Sequence, residues 1–352
     1  MKAVVKARRE PGVEVREMDA PVAGPGEVLV RVRAAAVCGS DLGICDFTPA
    51  YSDMALPVIM GHEFSGVVEA IGEGVKAYSV GDRVLSRSMV SCGECRFCVA
   101  GMDNLCESSS LFGIHQDGGF AEYISVPQGL LYPIPEGMSF EEAALVEPLS
   151  NAVHFVNDMT PIEPGDLAVV LGIGPIGLFS AQLLRLAGAD VLMTGISVDT
   201  ERFKIAEKLG LEAVNVDEVD PVELVMERTS GRGADVAFVA VGAPSAVHQA
   251  VRLVRKRGHV TVVGIFPGDV SVPMTTVVRR EITLTGAYDA RAPNFQESIA
   301  LMKSGRIKAV DLATHSFPLE EAERAFEVAK SKAGCKILFV PRVPRASSRR
   351  AP

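Results

Sequence analysis

Leu167-Ala168-Val169-Val170-Leu171-Gly172-Ile173-Gly174-Pro175-Ile176-Gly177 is the stretch on which the fold turns. Its first five residues form an apolar run of strand length, as expected for a strand covered on both faces. A G-x-G-x-x-G follows at once, and residues 177–186 beyond it are apolar at helical spacing. Strand, glycine turn and helix in that order open a βαβ unit, a context that argues against a bare turn without a ligand. Gly172 allows the tight turn, Gly174 lets backbone N–H groups approach a pyrophosphate, and Gly177 permits close helix–strand packing. The helix N-terminus then faces the negative charge. Gly172, Gly174, Pro175, Ile176 and Gly177 are therefore candidate cofactor residues. The span 167–184 carries no charge, but the glycines and Pro175 in its middle argue against a membrane crossing.

Outward from this turn, strand-like runs at 166–171, 190–194, 213–216, 235–241, 259–264 and 281–286 recur, with helical patterns at 177–186 and 200–209 between the first three. Such repetition predicts a doubly wound parallel sheet. A dinucleotide on it lies at the carboxyl ends of the strands, near Val241, Gly242, Gly264, Ile265, Ala287 and Tyr288. An NAD site needs a carboxylate roughly 20 residues beyond the glycine turn to hold the ribose. The second strand ends instead in Met193-Thr194-Gly195. Thr194, Gly195, Ser197 and Arg202 offer room, hydroxyls and a cation for a 2′-phosphate, which favours NADP, while Asp199 keeps NAD open. Asp235 and Glu281 are expected at the exposed edge of the sheet, and the charge run 252–257 as a solvated helix end.

The flanking sequence has another texture. Residues 1 to about 90 read as short strands punctuated by Gly and Pro, for example 27–32 and 65–71. A further strand is expected at 118–126, and a helix at 141–157 with Ser139 as N-cap and Glu142 at the capping-box position. Helices at 294–303 and 319–331 and a strand at 336–340 follow the sheet, and the tail 341–352 is expected to be disordered. A chain of 352 residues suggests two domains. The change of texture divides the chain into a Gly-rich β part at residues 1–153 and a dinucleotide-binding part at 154–289, with 290–352 expected to return to the first.

A formal net charge of −9 argues against nucleic acid and anionic membranes as partners. Met1-Lys2-Ala3-Val4-Val5-Lys6 lacks the apolar run of a secretory leader. The cysteines fit a reducing, cytoplasmic setting. Four of them, Cys92, Cys95, Cys98 and Cys106, are spaced C-x2-C-x2-C-x7-C. Four thiolates in one short loop suit a closed structural zinc site. An iron–sulfur run would place its fourth Cys three residues after the third, before Pro; here the gap is seven and Glu107 follows. Disulfides fit less well, since nothing else looks secreted.

A second constellation is Cys38-Gly39-Ser40-Asp41, Gly61-His62-Glu63 and Val146-Glu147-Pro148. Cys, His and carboxylate are the ligands of a zinc that keeps a position open, polarising an alcohol oxygen from whose carbon hydride can leave. Taken singly, each has a plain alternative: a small buried thiol, a hydrogen-bonded core imidazole, a helix-end carboxylate. His115, His248, His259 and His315 are scattered and carry no catalytic expectation.

Gly61-His62-Glu63-x2-Gly66-x5-Gly72-x2-Val75 resembles the zinc signature of the medium-chain dehydrogenase/reductase superfamily. The four-Cys loop resembles that family's structural zinc lobe, and the glycine turn falls where its nucleotide domain begins. Residues 147–154, Glu-Pro-Leu-Ser-Asn-Ala-Val-His, are similar to the sorbitol (polyol) and threonine dehydrogenase branch. The resemblance implies a GroES-like catalytic domain beside a Rossmann sheet. It further implies Cys38, His62 and Glu63 as ligands of a catalytic Zn²⁺, Glu147 as a ligand that exchanges with water, and Ser40 as the hydroxyl beside the reacting oxygen. The expected activity is NAD(P)-linked oxidation of a secondary alcohol on a polyol, sugar or similar small compound, with two zinc ions per chain and a homodimer or homotetramer. An amino-alcohol dehydrogenase acting on L-threonine and a catalytically weak zinc- and nucleotide-binding scaffold are the rivals. The branch usually has His three residues after Ser40, where this chain has Gly43.

Overall fold

The glycine turn belongs to a six-stranded, wholly parallel sheet. Its order is Glu212–Asn215, Asp190–Gly195, Leu167–Leu171, Ala234–Val239, Val254–Val262, Thr283–Gly286, the doubly wound order with its switch point beside Leu167–Leu171. Leu167–Leu171 and Ala234–Val239 are buried along their whole length, as central parallel strands between two helical layers must be. The computed structural model describes residues 1–342; most of the tail expected to be disordered lies outside the described residues. Among the described residues no helix is long and apolar enough to cross a membrane.

A second, mostly antiparallel sheet runs Leu131–Pro133, Arg83–Ser86, Glu63–Ile71, Glu27–Ala36, Lys336–Phe339, Ala313–Phe317, with Tyr123–Pro127 also paired to Glu27–Ala36. The chain's last described strand therefore inserts beside one of its earliest. Helix Val146–Val153 packs on both Pro175–Leu186 and Ala292–Lys303, tying the two sheets together along a cleft.

Several local expectations shift. The single helix at 141–157 is three pieces: Phe140–Ala144, Val146–Val153 and a π turn His154–Asp158. The Ser139–Glu142 capping box forms as expected. The break falls where Pro148, lacking an N–H, meets the carbonyl of residue 144 four positions back. Residues 118–126 form a ladder only over Tyr123–Pro127. Gly118, Gly119 and Phe120 instead donate to the carbonyls of Ile59, Gly61 and Met60, bracing the chain just before His62.

The charge run at 252–257 is a helix end only at its start, where exposed Arg252 stands in the last helical turn. Helix Pro244–Leu253 stops, Val254 is buried, and the run opens strand Val254–Val262. Asp235 also differs from expectation, being 5% exposed. It accepts hydrogen bonds from Arg232, Arg255 and the Leu167 N–H. Burial alone would raise this carboxyl, yet the donors outweigh it and hold the pKa below the usual value. Glu281 is exposed as expected.

Asp235→Ala is expected to lower stability by about 2–3 kcal/mol, less than a wholly buried pair because both arginines are partly exposed. A carboxyl with a depressed folded pKa stabilises above its unfolded value, near 4, and that contribution disappears as pH falls through the lower folded value. Urea unfolding should show wild type converging on the variant in acid. Equal stabilities at pH 7 would refute this role.

Candidate active site

Strand Glu27–Ala36 and strand Glu63–Ile71 pair antiparallel with Ala36 opposite Glu63. Because one strand ends where the other begins, Cys38 and His62-Glu63 emerge side by side. One ligand atom from each of Cys38, His62 and Glu63 lies within 4.8 Å of the others. Sulfur, imidazole and carboxylate at this separation form a donor set suited to Zn²⁺ with a position left open. His62 Nδ1 and Asp41 Oδ1 have no hydrogen-bond partner among the described residues, although both are buried. They stand 3.8 Å apart, as for a carboxylate placed to orient a metal-bound imidazole through its other nitrogen.

Asp41 also binds the Cys38 N–H at 2.8 Å through Oδ2, closing the start of helix Gly39–Asp46. Burial lowers the affinity of the His62 imidazole for a proton, but Asp41 and Cys38 more than reverse this and raise it well above the usual value. On the other side Lys336, from the last strand, holds both carboxylate oxygens of Glu63 and donates to Val37 O at 3.2 Å. Both members of this pair are buried, where an unpaired charge would be strongly destabilising.

Ser40 Oγ lies 3.4 Å from His62 Nε2. A Cβ added to Gly43 would come within 2.7 Å of the Tyr51 ring. Tyr51 thus fills the space a side chain at 43 would need, and it lines the same cleft as Ser40. Restoring His at 43 would require displacing this ring.

These groups line a cleft of about 630 Å³. Across it, helix Val146–Val153 presents Glu147 and Asn151, with Asn151 Nδ2 3.3 and 3.4 Å from the two Glu147 oxygens. Burial pushes the Glu147 carboxyl up to about 7, against the pull of His62. Glu147 faces the same cleft but stands outside the 4.8 Å group. The far wall is Ile176, Val241, Gly242, Gly264, Ile265, Ala287 and Tyr288, all expected cofactor neighbours.

The turn itself fits a dinucleotide. Gly172 has φ +114°, and a Cβ on Gly177 would sit 2.0 Å from Gly172 O, whereas one on Gly174 would meet open space. Pro175 takes the first helical turn, where its missing N–H is no loss. The second strand's end departs from expectation. Arg202 donates to Asp199 at 3.0 Å and to Gly334 O at 3.2 Å, so neither it nor the buried Asp199 is open to a ribose. Thr194 is buried, a Cβ on Gly195 would crowd Ile173 and Phe203, and Ser197 donates to Asp217 through both N–H and Oγ.

The ligating atoms of Cys92, Cys95, Cys98 and Cys106 also lie within 4.8 Å of one another. Sulfur pairs at 3.5 and 3.9 Å are too far apart for disulfides. Backbone N–H groups point at Cys106 and Cys92; such donors push the Cys95 thiol down to about 6, while burial and the adjacent Cys95 sulfur push Cys98 up, the opposed shifts of thiols crowded together. This matches a thiolate metal site. The lobe also reaches the cleft: Asp103 pairs with Arg87 at 2.6 Å, and Asn104 donates to Tyr288 O at 2.8 Å.

Sequence reasoning passed over Asp41, Tyr51, Asn151, Asp289 and Lys336. Asp41 alone had a local signal, three residues into a helix opened by a candidate ligand.

Residues 24–136 match the family model of the alcohol dehydrogenase GroES-like domain, and residues 175–304 match that of the zinc-binding dehydrogenases. The chain is 37% identical over 345 residues to a sorbitol dehydrogenase of Halalkalibacterium halodurans, covering 97% of this chain and 99% of the relative. It is 33% identical over 345 residues to an L-threonine 3-dehydrogenase of Bacillus subtilis, with the same coverage of 97% and 99%. Among solved structures, 2R,3R-butanediol dehydrogenase from Bacillus subtilis superposes with a TM-score of 0.87 at 34% identity, over 97% of this chain and 99% of that one.

Proposed function

Because the chain belongs to the zinc-containing medium-chain dehydrogenases, we propose that it oxidises a secondary hydroxyl of a polyol, sugar or similar small compound. The observation that carries this reading is the convergence of Cys38, His62 and the buried Glu63 within 4.8 Å, with Cys38 and His62 lining a cleft whose far wall is the glycine-turn helix and the strand ends. The zinc supplies Lewis acidity that makes an alcohol easier to deprotonate, and the nicotinamide accepts the hydride.

The protein's own groups do the rest. Cys38, His62 and Glu63 would hold the metal, Asp41 would fix the imidazole, and Lys336 would fix the carboxylate. Ser40, beside His62 and lining the cleft, would take the substrate proton. Ile176, Val241, Val263 and Phe266 make an apolar wall that keeps water from the transferring hydride. Cys92, Cys95, Cys98 and Cys106 would hold a second, structural zinc. We assign residues 1–153 and 290–352 to the catalytic unit and 154–289 to the cofactor unit. A reducing, cytoplasmic setting and pairing of copies through residues 277–286, which include the edge strand Thr283–Gly286, belong to the same reading.

NADP stays ahead of NAD because no acid stands at Gly195, not because of Arg202. Arg202→Ala is therefore expected to move the KM values for NAD⁺ and NADP⁺ together. A rise of roughly tenfold for NADP⁺ alone, the weight of a lost charge-assisted hydrogen bond, would return Arg202 to phosphate recognition. The reading as a whole is tested by cofactor reduction over polyols, inositols, sugars and amino alcohols with both nucleotides. Silence across the panel from enzyme loaded with zinc would overturn it.

A further inference from the structure

We propose that Asp289 selects the substrate. Its carboxylate accepts a hydrogen bond from a hydroxyl away from the reacting carbon, so the enzyme takes uncharged polyhydroxy compounds and turns away phosphorylated or carboxylate-bearing ones. This rests on the dehydrogenase reading above and gives its substrate class.

Asp289 is delivered to the cleft by strand Thr283–Gly286, three residues past its end. It is 9% exposed, and its two oxygens differ. Oδ1 accepts from the Ala290 N–H at 2.7 Å, whereas Oδ2 has no partner among the described residues. A buried carboxylate oxygen without a donor is costly. The backbone adds to this, since Asp289 has φ +52°, a conformation in which non-glycine residues are uncommon. Two unfavourable features on one residue that lines a cleft point to a ligand.

Arg87, which contacts the neighbouring Ala290, does not answer the need. It is bound to Asp103 at 2.6 Å, donates to Ala290 O at 3.4 Å and does not line the cleft. Among the described residues lining the cleft there is no Lys or Arg; its carboxylates are Glu147 and Asp289. Phosphate and carboxylate groups are recognised by Arg, Lys or clustered N–H donors, and here they would meet two acids. Asn151 Oδ1 is a second buried acceptor without a partner on the same cleft. Two idle acceptors ask for donors, and a hydroxyl-rich, uncharged chain supplies them.

The test uses zinc-loaded enzyme with its preferred nucleotide and four substrates: a hexitol, the same hexitol carrying a terminal phosphate, L-threonine and cyclohexanol. Wild type is expected to prefer the hexitol over all three. Asp289→Asn should lower the hexitol-to-cyclohexanol ratio of kcat/KM by roughly 10- to 100-fold, the range for a lost hydrogen bond to a charged group, mainly through KM. The same variant should narrow the gap between hexitol and phosphohexitol. Asp289→Gly, whose backbone tolerates the positive φ, serves as the folding control and should lose the same ratio. An unchanged ratio in both variants, or a wild-type preference for the phosphate or for L-threonine, overturns the selection role while leaving the dehydrogenase reading intact. If no alcohol of any class is oxidised, the dehydrogenase reading itself fails and takes this one with it.

Discussion

Cys38→Ser is expected to reduce alcohol oxidation by roughly 10³-fold or more, since Lewis-acid assistance is worth several kcal/mol and each 1.36 kcal/mol is tenfold. A serine hydroxyl is a poor ligand beside an imidazole and a carboxylate, whereas the thiolate contributes both charge and softness. The remaining pair would hold the metal weakly, and Lys336 would keep its grip on Glu63. Zinc analysis should fall from two sites to one, because the four-thiol group is separate. Tm should change little, since Cys38 is only partly buried. Turnover within tenfold of wild type, or full retention of both ions, would sink the assignment of Cys38.

Cys106→Ser should act on the opposite balance, with stability and substrate binding lost before chemistry. The lobe around residues 92–106 holds one short helix, Arg96–Val99, and a 3-10 turn, Asp103–Leu105. Asn104 and Cys106 are buried there, but Val99, Met102 and Leu105 are exposed, so little apolar core remains to keep its shape without a metal. Cys106 also accepts from the Cys92 and Ser108 N–H groups. Its loss should free Asp103 from Arg87, which is 6% exposed. Leaving that guanidinium buried without its carboxylate costs about 3–5 kcal/mol. Asn104 would release Tyr288 O, loosening the wall that carries Asp289. KM for the alcohol should therefore rise by roughly tenfold or more, on the scale of one lost supporting hydrogen bond in a buried setting, while kcat falls less. The checks are zinc content, thermal unfolding and separate kcat and KM values. A variant that keeps both ions, or an unmoved KM after the lobe zinc has gone, would uncouple the lobe from the cleft.

What could be read in advance follows the range of the forces involved. The glycine turn was legible because a positive φ at Gly172 and a close approach at Gly177 are constraints within six residues. The four-thiol loop was legible for a like reason, since its ligands are local in sequence. Apolar periodicity exposed the parallel sheet because its central strands are buried on both faces. Besides the helix broken at Pro148 and the shortened strand at 118–126, the misreadings were partner choices. Arg202 looked open to a phosphate until Asp199 and Gly334 claimed it. Asp235 looked peripheral until Arg255 reached it across twenty residues, from the strand that takes up the 252–257 run after Leu253.

By itself the sequence determined the doubly wound sheet, the glycine turn that opens it and the four-thiol lobe, all matters of short-range geometry and side-chain chemistry, while the ligand roles expected of Cys38, His62 and Glu63 came from a resemblance. Only the tertiary structure decided that Ala36 lies opposite Glu63, so that Cys38 meets His62. It alone brought Lys336 to Glu63 over a separation of 273 residues, filled the space at Gly43 with Tyr51, and left one Asp289 oxygen idle in the cleft. Strand register and the pairing of buried charges depend on which distant segments become neighbours, and no local pattern of residues encodes that choice.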